Sequence, residues 1–182
     1  MQKLKTPFVW IGPNQHPKAL IIFTLLTICC IAIDKMSGVD VSTSVAPYGI
    51  LSYEFAGIFP NTSAAEVVAA WDESQRMSVA FNLGLGFFFL VGYSHTIGIA
   101  CLLRAKALNR FAKPVYIIAS LQLLVATLDA IENFSLWQLL IGSNYDDLYI
   151  LLSNICTIPK FVFVLMGLLF CILSLFFKKK ID

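Results

Sequence analysis

Apolar residues in this chain run in long blocks instead of alternating with polar ones. Four of those blocks approach or exceed the roughly 20 residues a helix needs to cross the hydrocarbon of a bilayer. They run about Ala19–Ile33, Met77–Leu103, Val115–Ile141 and Leu148–Phe177. In lipid every backbone N–H and C=O must find a partner within the segment, so a block of this kind folds as a helix. The hydrophobic fraction, 58%, lies above the roughly 45–50% of soluble domains. The expected fold is therefore all-α: an integral membrane bundle of four transmembrane helices with an outer interfacial helix. It forms a single membrane domain over residues 1–182, with spans near 19–35, 77–103, 115–141 and 148–177 and an outer segment over 34–76.

The first block is short, and the span is expected to borrow flanking residues or to sit in locally thinned lipid. Lys3 and Lys5 ahead of an apolar run also suit a cleaved leader. Pro7, Pro13 and Pro17 in the lead-in, and the lack of a small-x-small site after Ile33, favour a retained helix.

Basic residues set the expected orientation. Lys3, Lys5 and Lys18 precede the first span, Arg104, Lys106, Arg110 and Lys113 join the second to the third, and Lys178, Lys179 and Lys180 follow the fourth. In a four-span arrangement all of these fall on one side, whereas Asp34, Asp40, Glu54, Glu66, Asp72, Glu73, Asp146 and Asp147 fall on the other. Basic residues near span ends stay inside, so both termini are expected to be cytoplasmic. The net charge of +2 then reflects topology and not a nucleic-acid surface. All five cysteines lie within the blocks and none forms a CxxC pair, so neither bridges nor a metal centre are expected.

In the outer segment, "APYGILSYEFAGIFP" is too apolar for a solvated loop and too short to cross, so Tyr48–Pro60 is expected to pack on or into the bundle mouth. Ser63 followed by Glu66 is a capping box, with Val67, Val68 and Trp71 on one arc of the helix that follows. That helix is expected to run on into the second span or to bend near Ser74–Arg76. Asn61-Thr62-Ser63 is formally a glycosylation sequon, read here as the turn before the helix. Gly92, Thr96 and Ala100 at four-residue spacing allow another helix to approach closely.

The stretch "LVATLDAIENFSLWQ", residues 124–138, places Asp129, Glu132 and Asn133 in the middle of an apolar helix. Each charge at the centre of a span costs roughly 2.5–3.5 kcal/mol on insertion scales, so these side chains must turn inward. Counting at about 1.5 Å per residue brings Lys160 of the fourth span to the depth of Glu132. Helical phase puts Gln122, Asp129, Glu132 and Asn133 on one face, Ser153, Thr157 and Lys160 on another, and Asn82 with Tyr93 on a third. His95 points away. The expected partner of Lys160 is Glu132, which leaves Asp129 without a cation of its own, and Glu54 can approach from the outer segment. Glu54, Asn82, Tyr93, Asp129, Glu132, Asn133, Thr157 and Lys160 are thus the candidate ligand-binding residues.

The run of "YEFAG", "AAW", a Leu/Phe-rich helix, "LDAIENFSL" and "PKFVFVLMGLL" resembles a family of small bacterial four-helix integral membrane proteins with no established activity. The resemblance covers roughly residues 50–170 and omits the N-terminal segment. It implies that Glu54, Asp129, Glu132, Asn133 and Lys160 belong to one pattern. The expected location is the cell (inner) membrane, multi-pass.

Ionisable residues inside a membrane point by default to function. The reading is an outward-facing site for binding or proton-linked transport of a small ion or a polar or lipid ligand, in a cavity between the second, third and fourth spans. Two alternatives stand beside it: a membrane-embedded enzyme acting on a lipid or isoprenoid, and a non-catalytic accessory subunit of a membrane complex. No Ser–His pair, HExxH or acidic metal motif speaks for catalysis, and no cofactor is expected. The bilayer is the expected partner, with a second copy or a larger membrane complex beside it and no nucleic acid.

Overall fold

The computed structural model describes residues 7–58, 62–108, 112–142 and 147–177. Lys3, Lys5, Asn61, Arg110, Asp146 and Lys178–Lys180, which entered the charge and turn readings, lie outside the described residues, as do Phe59 and Pro60 at the end of the segment expected to pack on the bundle. The elements are α1 (His16–Met36), α2 (Ile50–Glu54), α3 (Ala64–Ala70), α4 (Glu73–Leu108), α5 (Ala112–Ile141) and α6 (Asp147–Ser174). No strand occurs among the described residues. Helices α1, α4, α5 and α6 are each long and apolar enough to cross a membrane.

The short first block becomes a full span by extension at both ends. Pro17 starts α1 where its missing N–H costs nothing, and the helix runs through Asp34 to Met36. At about 1.5 Å per residue its 21 residues rise about 31 Å. Helix α1 packs on α4, α4 on α5, and α6 on both α4 and α5. Gly92 sets the first of these contacts, since a Cβ there would stand 2.7 Å from Thr27 Oγ1 and 3.1 Å from the Thr27 backbone nitrogen. Gly167 does the same for α6, where a Cβ would lie 2.5 Å from Ile97 Cγ2 and 2.7 Å from Gln122 Nε2.

Among the described residues, Lys106 near His16 and Arg104 on Ser174 mark a basic end of the bundle, and Asp40, Glu54, Glu66, Asp72 and Glu73 gather with α2 and α3 at an acidic one. The acidic end is a small folded cap. Tyr53 is fully buried and its hydroxyl donates to the Leu136 carbonyl of α5 at 2.9 Å. Trp71 packs edge-on to Tyr53, and its Nε1 donates to Val41 O at 2.8 Å. Val67, Val68 and Trp71, the arc expected of α3, are buried together with Tyr53, Leu136 and Leu139. The capping box of Ser63 and Glu66 is present in both directions.

Two details of this end depart from expectation. The chain breaks between α3 and α4 at Trp71–Asp72 and not at Ser74–Arg76. Trp71 is extended, with ψ 135°, and Asp72 caps α4 by accepting from Gln75 N at 2.8 Å while Gln75 Oε1 accepts from Asp72 N at 3.1 Å. A second capping box with Gln in the reciprocal place was therefore the signal. Tyr48, moreover, is 76% exposed. Ala46 before it and α2 after it are packed in the core, and the start of α2 needs Gly49: its φ is 58° and a Cβ would lie 2.8 Å from Val41 Cγ2.

At the basic end Phe8 inserts its ring over Gly98 and joins a core with Ile99, Leu102, Val115 and Ala119. His95 stacks there on Phe23 at 4.5 Å between centroids, turned away from the carboxylates as its phase predicted.

Candidate functional site

The carboxylates of "LDAIEN" are brought to α6 by helical phase, and α2 supplies a third from the cap. The Lys160 ammonium lies 2.9 Å from Glu132 Oε2, 3.1 Å from Asp129 Oδ1 and 3.6 Å from Glu54 Oε2. The expected Lys160–Glu132 contact is present, but Asp129 is not left without a cation, because it accepts a hydrogen bond from the same Lys160. One lysine is shared by three acids. Residues 129 and 132 are three apart on a helix, so both side chains reach the same neighbour, and a flexible four-carbon stem can place the ammonium between them.

The three acids differ in surroundings. Glu132 is fully buried, and its Oε1 finds no hydrogen-bond partner among the described residues. Asp129 also accepts at Oδ2 from the Tyr93 hydroxyl, at 2.7 Å. The Glu54 side chain is 18% exposed and has the longest of the three ion contacts. Burial pushes its carboxyl above the ordinary carboxylate range, Lys160 pulls it back down, and Asp129 raises it again.

Glu54, Asp129 and Lys160 line one end of a cleft of about 640 Å³, a volume within the range of small-molecule sites. Asn82, Phe89 and Tyr93 of α4 and Asn133 of α5 line the same cleft. Asn133 is buried, and Asn82 Oδ1 is buried with no hydrogen-bond partner among the described residues. Away from the charges the walls are apolar, formed by Ile31 of α1, Ile97 of α4, and Val164 and Leu168 of α6.

Of the eight candidate residues, six line the cleft and two stand behind it. Glu132 braces Lys160 from within the bundle. Thr157 donates to Ser153 O at 2.8 Å, with the Glu54 carbonyl at 3.3 Å, and so fastens the end of α2 to α6. Gln122 shares the acidic face but serves packing, donating to the Phe163 carbonyl of α6 at 2.9 Å. Sequence reasoning missed the wall from α1, where Thr27, Cys30, Ile31 and Asp34 line the cleft. Their spacing of three, four and seven marks one helix face, and that was the available signal.

The fold and the site together define an all-helical bundle with four membrane-length helices and a buried ion cluster opening on an apolar cleft. Set against protein-family models, curated proteins and solved structures, the chain matches none of them. The likeness of its short motifs to small bacterial membrane proteins gains nothing from those comparisons.

Proposed function

We propose that this protein sits in the cell (inner) membrane with both termini cytoplasmic. There it binds a small ion or a polar or lipid ligand at the Glu54–Asp129–Lys160 site and carries it in exchange for protons. The observation that carries this reading is a count of charge. A single ammonium lies within 3.6 Å of three carboxylates, two of which face a cleft. Uncompensated charge in a low-dielectric interior costs several kcal/mol, so the two remaining acids need protons or a cationic ligand. A site that must hold one or the other exchanges them. Glu132, walled off from the cleft, serves as the lock between α5 and α6, while Glu54 and Asp129 meet the ligand.

The exchange is tested by proton release. In weakly buffered detergent solution, adding tetraethylammonium to the purified protein is expected to release protons, and the E54Q/D129N double variant is expected to release none. Equal release from both would remove the carboxylates from the function.

The position of Glu54 also sets a pH dependence. It is faced by Lys160 of α6, Asp129 and Glu132 of α5 and Tyr93 of α4. Since its folded carboxyl titrates above the unfolded value, the folded state holds the proton longer, and stability falls as pH rises from about 4.3 through the raised value. Cation binding strengthens over the same window, because it requires the ionised acid. Thermal unfolding from pH 4 to pH 8 should show a shallower decline in E54Q than in wild type. Parallel curves would mean that Glu54 does not titrate there.

Orientation is read separately. Ser44 is exposed at the acidic end, and in S44C a membrane-impermeant maleimide should label intact cells from outside. Labelling only after the membrane is opened would reverse the topology.

A further inference from the structure

The two ends of the cleft differ in chemistry, and the difference selects among ligands. At the charged end, Glu54 and Asp129 stand beside the rings of Phe89 and Tyr93, whose centroids are 5.0 Å apart. Carboxylates next to aromatic faces are the surroundings that receive an organic ammonium, by charge and by cation–π attraction. Lys160 already occupies the place between the three acids where a bare metal ion would sit, so the open positions are the cleft-facing sides of Glu54 and Asp129. An anionic head group would meet Glu54 and Asp129 and gain one ammonium. Asn133, buried and lining the cleft, adds an amide donor and acceptor, and Asn82 Oδ1 adds an acceptor with no hydrogen-bond partner among the described residues.

The cleft is lined along α4 from Asn82 to Ile97, about 22 Å at the helical rise. Its apolar lining comes from Ile31 of α1, Ile97 of α4 and, one and two turns past Lys160, Val164 and Leu168 of α6. Ile31 is 47% exposed and Leu168 42%. In a bilayer, then, this half of the cleft is lined by side chains that lipid also reaches. A hydrocarbon chain laid there meets apolar side chains along its length, a contact that a small hydrophilic cation cannot make.

We infer that the ligand is a single-chain cationic amphiphile, with its ammonium head against Glu54 and Asp129 and its hydrocarbon chain laid between α1 and α6. This rests on the binding reading above and names its ligand class. The head would point to the acidic end and the chain toward the middle of the membrane, the pose an amphiphile adopts on entering sideways from the leaflet at that end.

Native mass spectrometry of the purified protein, titrated with three probes, tests it. Dodecyltrimethylammonium carries head and chain, tetramethylammonium the head alone, and dodecanoate the same chain length with the opposite charge. One dodecyltrimethylammonium should bind, at least tenfold more tightly than either of the others. L168W and I31W fill the chain path from opposite walls at partly exposed positions, so at least one is expected to fold. Each should cut the preference for the long-chain cation over tetramethylammonium at least tenfold. E54Q/D129N should lose both cations. If tetramethylammonium binds as well as the long-chain probe, or if neither tryptophan changes the preference, the chain path is refuted while the cation site stands. Tighter binding of dodecanoate overturns the charge assignment. Cation binding that is indifferent to E54Q/D129N takes down the carboxylate site itself, and the proposed function with it.

Discussion

Replacing Lys160 with Met is expected to destabilise the folded protein by about 3–5 kcal/mol, the usual cost of removing one partner from a buried ion cluster. The physical reason is the sharing described above. The ammonium lies within 3.6 Å of Glu54, Asp129 and Glu132, and Met leaves the three acids facing one another with no cation. Adding Glu132→Gln to the Met variant should recover a substantial part of the loss. Glu132 is the closest partner and the most deeply buried, so it is the acid least able to turn to water. Asp129→Asn in the same background should recover less, because Asp129 keeps the hydrogen bond from Tyr93. Equilibrium unfolding of the four proteins in a 132/160 double-mutant cycle measures the coupling. A coupling energy near zero would mean that Lys160 and Glu132 do not meet, and the site would be dismantled.

The second large effect is expected at Trp71, which touches no carboxylate. Trp71→Ala removes a buried indole that packs on Tyr53 and holds Val41 O by its N–H. Truncating a buried aromatic costs about 3–5 kcal/mol, and here the loss falls on the cap. Helix α2 has only five residues, far too few to stand alone, so its place over the cleft depends on these contacts. Hydrogen exchange at Ile50–Phe55 should quicken by orders of magnitude while exchange in the middle of α5 stays slow. Glu54 would then leave Lys160, and binding of dodecyltrimethylammonium should weaken with it. Unchanged protection over α2 would show that the cap is held by something other than Trp71 and Tyr53.

Much of this molecule is legible along the chain because its strongest constraint is one-dimensional. A block of apolar residues long enough to cross lipid must satisfy its own backbone, and only a helix does that, so α1, α4, α5 and α6 follow from hydropathy. The inward turn of Asp129, Glu132 and Lys160 follows from the cost of charge in hydrocarbon, and their shared depth follows from the helical rise. The capping box at Ser63 is equally local. What the sequence left open depends on neighbours. That Lys160 divides itself among three acids was decided by the position of α2, which hangs from Tyr53 and Trp71 through contacts made across tens of residues. The break at Trp71–Asp72 depends on where the Trp71 ring must sit to reach Val41 and Tyr53, with the Asp72–Gln75 cap accommodating it. The wall of the cleft from α1 was decided by Gly92, which lets Thr27 come close enough for Ile31 and Asp34 to line the gap. Helical phase tells which side of each helix is polar; only packing decides which other helix that side meets.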